Sequence, residues 1–371
     1  MITTAEKETR ITHSQMQTAK TCLRKEFLAY QLGIRPERSA KPLRIGSAIH
    51  WGLDQYKKCM LGNAPVPGGE ACYGILCAVQ NKYNETRPVN DEYVYDWEIE
   101  RATVIALLSG YFWRWAEMDA DIKYIASEQK FDVPIINPES GRSSRLSTVA
   151  GMIDGIVELP GKQIAVMEHK TTSDDLSPDS DYWKRLRIDS QISLYYLAVH
   201  QLGFVVETVY YDVIKKPTIK PKNISVLDAD GIKQVIDRTT GERLKNKNST
   251  WKQSVSDKET QALLTRPETP DEFQDRLLSD ITTRPDFYYA RREIPRLDAD
   301  IEEFQYELWQ MTKLLHECQR FNRYPRNTGA CVGFGTCAYF DLCTSGYEIG
   351  SGIIPDGYVV VDNVHQELEE D

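Results

Sequence analysis

No apolar run in these 371 residues approaches the ~20 needed to span a bilayer, so no membrane association is expected. The first residues, Met1-Ile-Thr-Thr-Ala-Glu-Lys-Glu, are polar and unlike a secretory leader, which points to the cytoplasm. The phosphate cradle G-x-x-x-x-G-K-[ST] is absent, so nothing supports an ATP-driven helicase within the chain. H-E-x-x-H and G-x-S-x-G are missing too, which weakens the zinc-protease and serine-hydrolase readings. Histidine is scarce, six residues in scattered positions. Excess positive charge is also lacking: the net charge is −10, which on its face argues against a polyanionic partner. Binding phosphate needs only a local positive groove, however, not a positive total.

What is present begins with Gly151-Met-Ile-Asp154-Gly-Ile-Val-Glu-Leu-Pro-Gly161-Lys-Gln-Ile-Ala-Val-Met-Glu168-His-Lys170. Apolar Ile153, Ile156, Val157, Ile164 and Val166 flank a Pro-Gly turn, the pattern of two paired strands. A hairpin centred near Gly161 sets Asp154 across from Glu168. Opposed side chains have Cβ atoms roughly 4.5–5.5 Å apart, close enough for two carboxylates to share a divalent ion. Lys170, two residues beyond Glu168, emerges on the same face. A one-residue slip would separate the acids. Magnesium and manganese prefer carboxylate and carbonyl oxygens; a bound metal polarises phosphoryl oxygens, and a neighbouring lysine stabilises developing charge. The competing reading is a surface hairpin with solvated charges.

Three companions accompany the hairpin. His50 lies in Arg44-Ile-Gly-Ser-Ala-Ile-His50-Trp-Gly-Leu-Asp-Gln-Tyr56, a helix start with Ser47 as its N-cap. Gln191 and Tyr195 follow in a helix over 183–202, their i, i+4 spacing putting both polar tips on one face.

Cysteines stand at 22, 59, 72, 77, 318, 331, 337 and 343. The chain is too long for a disulfide-stapled mini-domain, so metal or reduced thiols account for them better. Cys331, Cys337 and Cys343 share one glycine-bearing loop, and Cys22 is our choice for a fourth ligand. Thiolates alone can carry tetrahedral zinc. Cys59, Cys72, Cys77 and Cys318 read as ordinary buried or partly buried thiols.

The order His50, Asp154, Glu168-His-Lys170 and Gln191-x-x-x-Tyr195 resembles RecB-type nucleases of the PD-(D/E)XK superfamily. The resemblance implies a restriction-endonuclease-like core over 44–215. It implies that His50, Asp154, Glu168 and the carbonyl of His169 bind catalytic magnesium or manganese. Lys170 would serve the attacking water, and Gln191 and Tyr195 would hold substrate and site. Glu128 matches an acid that precedes the first core strand in such proteins. Cys22 with the C-terminal trio resembles the split four-iron–four-sulfur module of AddB-type and CRISPR-associated exonucleases, although five residues rather than two separate Cys331 from Cys337; structural zinc stays open. The implied activity is a DNA exonuclease acting on single-stranded or free ends in recombination, repair or phage DNA processing, with a helicase or recombination protein as a further partner. The alternative is a catalytically inactive nucleic-acid-binding or scaffold protein with structural zinc.

The alternating strands and helices point to an α/β fold with a mixed central sheet flanked by helices. An N-terminal arm (1–43) carries Cys22 on a helix over 12–32. After the core, residues 216–262 form a basic insertion: between 215 and 252, Lys and Arg outnumber Asp and Glu ten to four. It reads equally as a solvated surface loop or as a DNA contact. Residues 263–371 supply a helix capped at Thr269, an extended segment, a long helix from 298, the cysteine loop and an acidic tail, Glu367–Asp371.

Overall fold

The strand Ser143–Glu158 organises the fold, because its length lets one edge serve two partners. The structure, a computed structural model, describes residues 9–37, 41–61, 66–333, 335–345, 356–365 and 368. The expected acidic tail lies outside these apart from Leu368.

In chain order the elements that build the site are β1 (Thr9–Thr12), α1 (His13–Thr21), α2 (Lys41–Cys59), α3 (Gly69–Asn84), α4 (Val94–Asp119), β2 (Lys123–Ile136), β3 (Ser143–Glu158), β4 (Ile164–Thr172), α5 (Ser190–Gln201), β5 (Thr208–Lys215), α6 (Pro270–Thr283), β6 (Tyr289–Ile294) and α7 (Asp298–Phe321). The sheet is mixed, as expected. β2 runs antiparallel along one edge of β3. On the other edge β1 pairs in parallel with Ser147–Ala150, and β4 pairs antiparallel with Gly155–Glu158. β5 then joins β4 in parallel, through the α5 crossover, and β6 closes the sheet antiparallel to β5.

Each face of the sheet carries its own core. Along β4, Ala165 and Met167 face one side and Val166 the other, the strict alternation of a strand. Against the first face pack α2, α3, α4 and α6, burying Ile49, Leu53, Leu107 and Ile281. Against the second pack α1, α5 and α7, burying Met16, Ile192, Leu194 and Leu308. Fully burying such a side chain stabilises the fold by about 1.5–3 kcal/mol. Gly110 is where α4 meets α6: a Cβ there would lie 2.6 Å from Ile281 Cγ2.

Several sequence expectations shift in detail. Ser47 is not an N-cap; α2 starts at Lys41, because its buried apolar stripe already includes Ile45. The helix expected over 12–32 is interrupted at Cys22, whose backbone is extended (φ −166°, ψ 117°). The helix expected over 183–202 is two, Asp181–Leu186 and α5, because Asp189 caps the second by accepting from Gln191 N at 2.8 Å. Trp97, Tyr111, Phe112 and Trp115 of α4 are core, whereas Trp113 is exposed. The basic insertion folds as two short antiparallel pairs, Asn223–Ser225 with Thr265–Pro267 and Val235–Asp237 with Gln261–Leu263. Among the described residues no helix is long and apolar enough to cross a membrane.

Candidate active site

Between its β1 and β4 partners, β3 leaves Gly151–Asp154 without a strand on that edge among the described residues. The site is built in this gap. The pairs from Glu158–Ile164 to Gly155–Met167 keep the register expected of the hairpin. One step further, where Asp154 and Glu168 would pair, His169 N–H donates to Asp154 Oδ2 at 2.8 Å instead. Side chains also meet the backbone carbonyls here: Lys57 Nζ donates to Asp154 O at 2.7 Å, and the Tyr195 hydroxyl reaches Met152 O at 3.5 Å.

His50 comes from α2, which Gly46 lets run close over β4; a Cβ at Gly46 would sit 3.2 Å from Thr171 Oγ1. Its Nδ1 lies 3.8 Å from Asp154 Oδ2. Glu168 is almost fully buried and its Oε1 is ion-paired with Lys170, while Oε2 finds no hydrogen-bond partner among the described residues. From α5, Gln191 Nε2 donates to the Tyr195 hydroxyl at 2.7 Å. The structure thus gathers His50, Asp154, Glu168, Lys170, Gln191 and Tyr195 around one opening in the sheet.

The electrostatics divide the two acids. Burial works against an ionised Asp154, yet the His169 hydrogen bond and the charge of Lys57 hold its carboxyl well below the usual range. Burial pushes Glu168 up to about 7, Lys170 pulling against it and the Asp154 charge adding to it. Surrounding protein lowers His50 to about 4, so the ring is neutral with a lone pair to offer. Burial opposes the charge of Lys170, but Glu168 and Asp154 outweigh it and keep the ammonium above its ordinary value. Tyr195 stays protonated, its pKa raised by burial and by Glu168. Two carboxylates, one of them with an orphaned oxygen, and a neutral imidazole fit a hard divalent cation. They are gathered but not closed into a cage: among the described residues no group of three or more His, Cys, Asp or Glu stands ready to hold a metal.

Two positions differ from expectation. Glu128 does not precede the first strand of the sheet's long pair; it sits inside β2, opposite Asp154 by the register of its neighbours, in a left-handed conformation (φ 48°) with Lys58 Nζ 3.7 Å away. The His169 imidazole reaches from the site into the core: Nδ1 lies 3.7 Å from Asp154 Oδ2, and Nε2 is 3.4 Å from the Tyr111 hydroxyl and 3.6 Å from Asp212 Oδ2. There Arg291 bonds these last two groups, at 2.7 and 2.8 Å. Sequence reading missed this buried network, and it missed Lys57. The signal for Lys57 was available in its i, i+7 spacing from His50; nothing local marked Asp212 or Arg291.

The segments that carry the four cysteines are neighbours, although among the described residues the thiols form no group of three or more placed to hold a metal. Asn327 N donates to Cys22 Sγ at 3.4 Å, Cys331 Sγ donates to Asn327 O at 3.7 Å, and Cys337 N donates to Cys331 O at 2.8 Å. Burial pushes the Cys343 thiol up, and Cys22 and Cys337 are near enough to act on it as well. All eight cysteines are free. Cys59 is exposed, against the expectation of burial, because it lies in the last turn of α2 beyond the core.

A family model described as the PD-(D/E)XK nuclease superfamily matches residues 10–344, from β1 to just past Cys343. The chain belongs to this superfamily. Superfamily membership makes it a metal-dependent nuclease, a hydrolase of DNA, and nucleases of this kind generally use magnesium or manganese. A solved structure titled "Crystal structure of SSO0001" is similar at 11% identity over 64% of this chain and 94% of that chain, with a TM-score of 0.19, too low to carry an argument. No curated protein matches.

Proposed function

We propose that this nuclease is a DNA exonuclease acting on single-stranded ends in recombination, repair or phage DNA processing. The observation that supports the reading is the meeting of Asp154, Glu168, Lys170 and His50 at the stretch of β3 left between its β1 and β4 partners. His50, Asp154, Glu168 and the His169 carbonyl would hold magnesium or manganese, which when bound polarises the phosphoryl oxygen and makes water more acidic. Lys170 orients the attacking water and offsets charge developing on the phosphate. The Gln191–Tyr195 pair keeps the wall of the site rigid beside Glu168.

We further propose that Cys22, Cys331, Cys337 and Cys343 hold a four-iron–four-sulfur cluster, with structural zinc as the alternative. What favours a shared ligand is the hydrogen-bonded knot through Asn327 that draws the N-terminal arm and the C-terminal loop together. A cluster there would tie the two ends of the chain across the nuclease core, the arrangement in which a cross-link most restricts the unfolded chain.

The deciding experiment compares cleavage of end-labelled linear single strands with circular single strands, in magnesium, manganese and chelator. Metal-dependent loss of the linear strand alone is the expected result. Equal cleavage of circles would show an endonuclease, and no cleavage of either would defeat the catalytic reading.

A further inference from the structure

The face of α2 that delivers His50 carries a second functional group. Lys57, seven residues on, is 3% exposed, and its ammonium donates to the Asp154 carbonyl at 2.7 Å. That carbonyl belongs to Asp154, in the stretch of β3 that among the described residues neither β1 nor β4 pairs, and opposite it β2 places Glu128 in its left-handed conformation. The adjoining residues of the same helix are built into the same wall. Asp54 accepts from Ser127 Oγ at 3.0 Å and pairs with Lys58 at 2.6 Å, and Lys58 lies 3.7 Å from Glu128, which faces Asp154 across the β2–β3 register.

A buried ammonium is costly unless a charge matches it, and the carbonyl it touches is neutral. The matching charge is the acid set of the site: Lys57 acts on Asp154 and Glu128 and is felt at His50. We propose that Lys57 is a positioning residue of the nuclease centre, pinning the Asp154 main chain in the strand gap and supplying the fixed positive charge that balances the acids before a divalent cation arrives. The inference rests on the nuclease reading above. It gives Lys57 and Lys170 different tasks. Lys170 reaches the substrate side with part of its chain exposed, whereas Lys57 acts from beneath, through Asp154.

The charge and the hydrogen bond can be separated by two variants, Lys57→Met and Lys57→Arg, measured at pH 8. Binding of Mn2+ is followed by calorimetry, cleavage by kcat and KM, and folding by thermal melting. Lys57→Met keeps the stem and removes the charge. It should bind Mn2+ roughly threefold or more tightly, since a repelling cation is gone, yet lower kcat about tenfold with KM for DNA little changed. Lys57→Arg keeps the charge and moves the donor, so its Mn2+ affinity should stay near wild type while kcat falls. A folded Lys57→Met with unaltered Mn2+ affinity overturns the charge role; wild-type kcat in Lys57→Arg overturns the positioning role. Should Lys57→Met fail to fold, Lys57→Arg still decides the second. A wild-type protein that neither binds Mn2+ nor cleaves DNA overturns the nuclease reading itself. A wild type that does both, beside unaltered variants, overturns only the role of Lys57.

Discussion

The backbone N–H of His169 donates to the carboxylate of Asp154 at 2.8 Å, one step past the last ladder pair of the β3–β4 hairpin. A side chain has taken the place of the next sheet bond, so the two strands part there. The carboxylate is both a structural acceptor and a member of the site, and substitution should separate these roles.

Asp154→Asn keeps an acceptor for His169 N–H and loses the charge. It should melt close to wild type and cleave DNA at least about a hundredfold more slowly. Asp154→Ala leaves a buried N–H unpaired and should also lose about 1–3 kcal/mol of stability. Wild-type cleavage by a folded Asp154→Asn would remove Asp154 from the mechanism.

Lys170→Ala takes away the cation paired with Glu168. Cleavage should fall roughly 10²–10³-fold in single-turnover assays, while the far-ultraviolet spectrum is unchanged. Activity within a few-fold of wild type would mean that the water is oriented by another group.

Glu26 is fully buried; its Oε1 accepts from Gln15 at 2.8 Å and Gln31 at 3.0 Å, but Oε2 has no partner among the described residues. Burial raises its pKa above its ordinary value, the Gln31 and Gln15 hydrogen bonds pulling against it. An acid raised in the folded state is best accommodated protonated, so its contribution to stability is present at low pH and is lost as pH climbs through the folded value. Glu26→Gln keeps the acceptor without the charge and should raise the melting temperature at pH 8 by more than at pH 4. An equal change at both pH values would contradict this.

Cys22→Ser removes one of the four proposed ligand thiols. Protein purified without oxygen should carry iron and acid-labile sulfide, with a broad visible absorption band, and the variant should lose both and melt at lower temperature. Stoichiometric zinc without the band would favour the zinc alternative, and metal content unchanged by the substitution would exclude Cys22.

Thr269 and Glu272 form a capping box at α6, with bonds of 3.2 and 2.8 Å. Thr269→Ala should cost about 1 kcal/mol and leave cleavage untouched, because α6 packs on α4 away from the strand gap. Lost activity at full stability would show that α6 reaches the site.

Much of the molecule was legible because it is governed by short-range rules. The register of the β3–β4 hairpin followed from its Pro-Gly turn and apolar alternation, and the start of α6 followed from Thr269-Pro-Asp-Glu. Errors came where a local pattern had two solutions. Ser47 resembles a cap, but the apolar stripe of α2 begins before it; Cys22 interrupts a helix that its neighbours would continue.

By itself the sequence determined the order of elements, the face each strand residue takes and the candidate acids, since periodicity and turn chemistry act over a few residues. Tertiary structure alone decided that β1 and β4 stop short of each other along β3, that Lys57 and Tyr195 reach the carbonyls left in between, and that the His169 ring lies beside Asp212 and near Tyr111. Those groups are brought together by packing between distant segments, and a buried charge shows its partner only once the chain has folded round it.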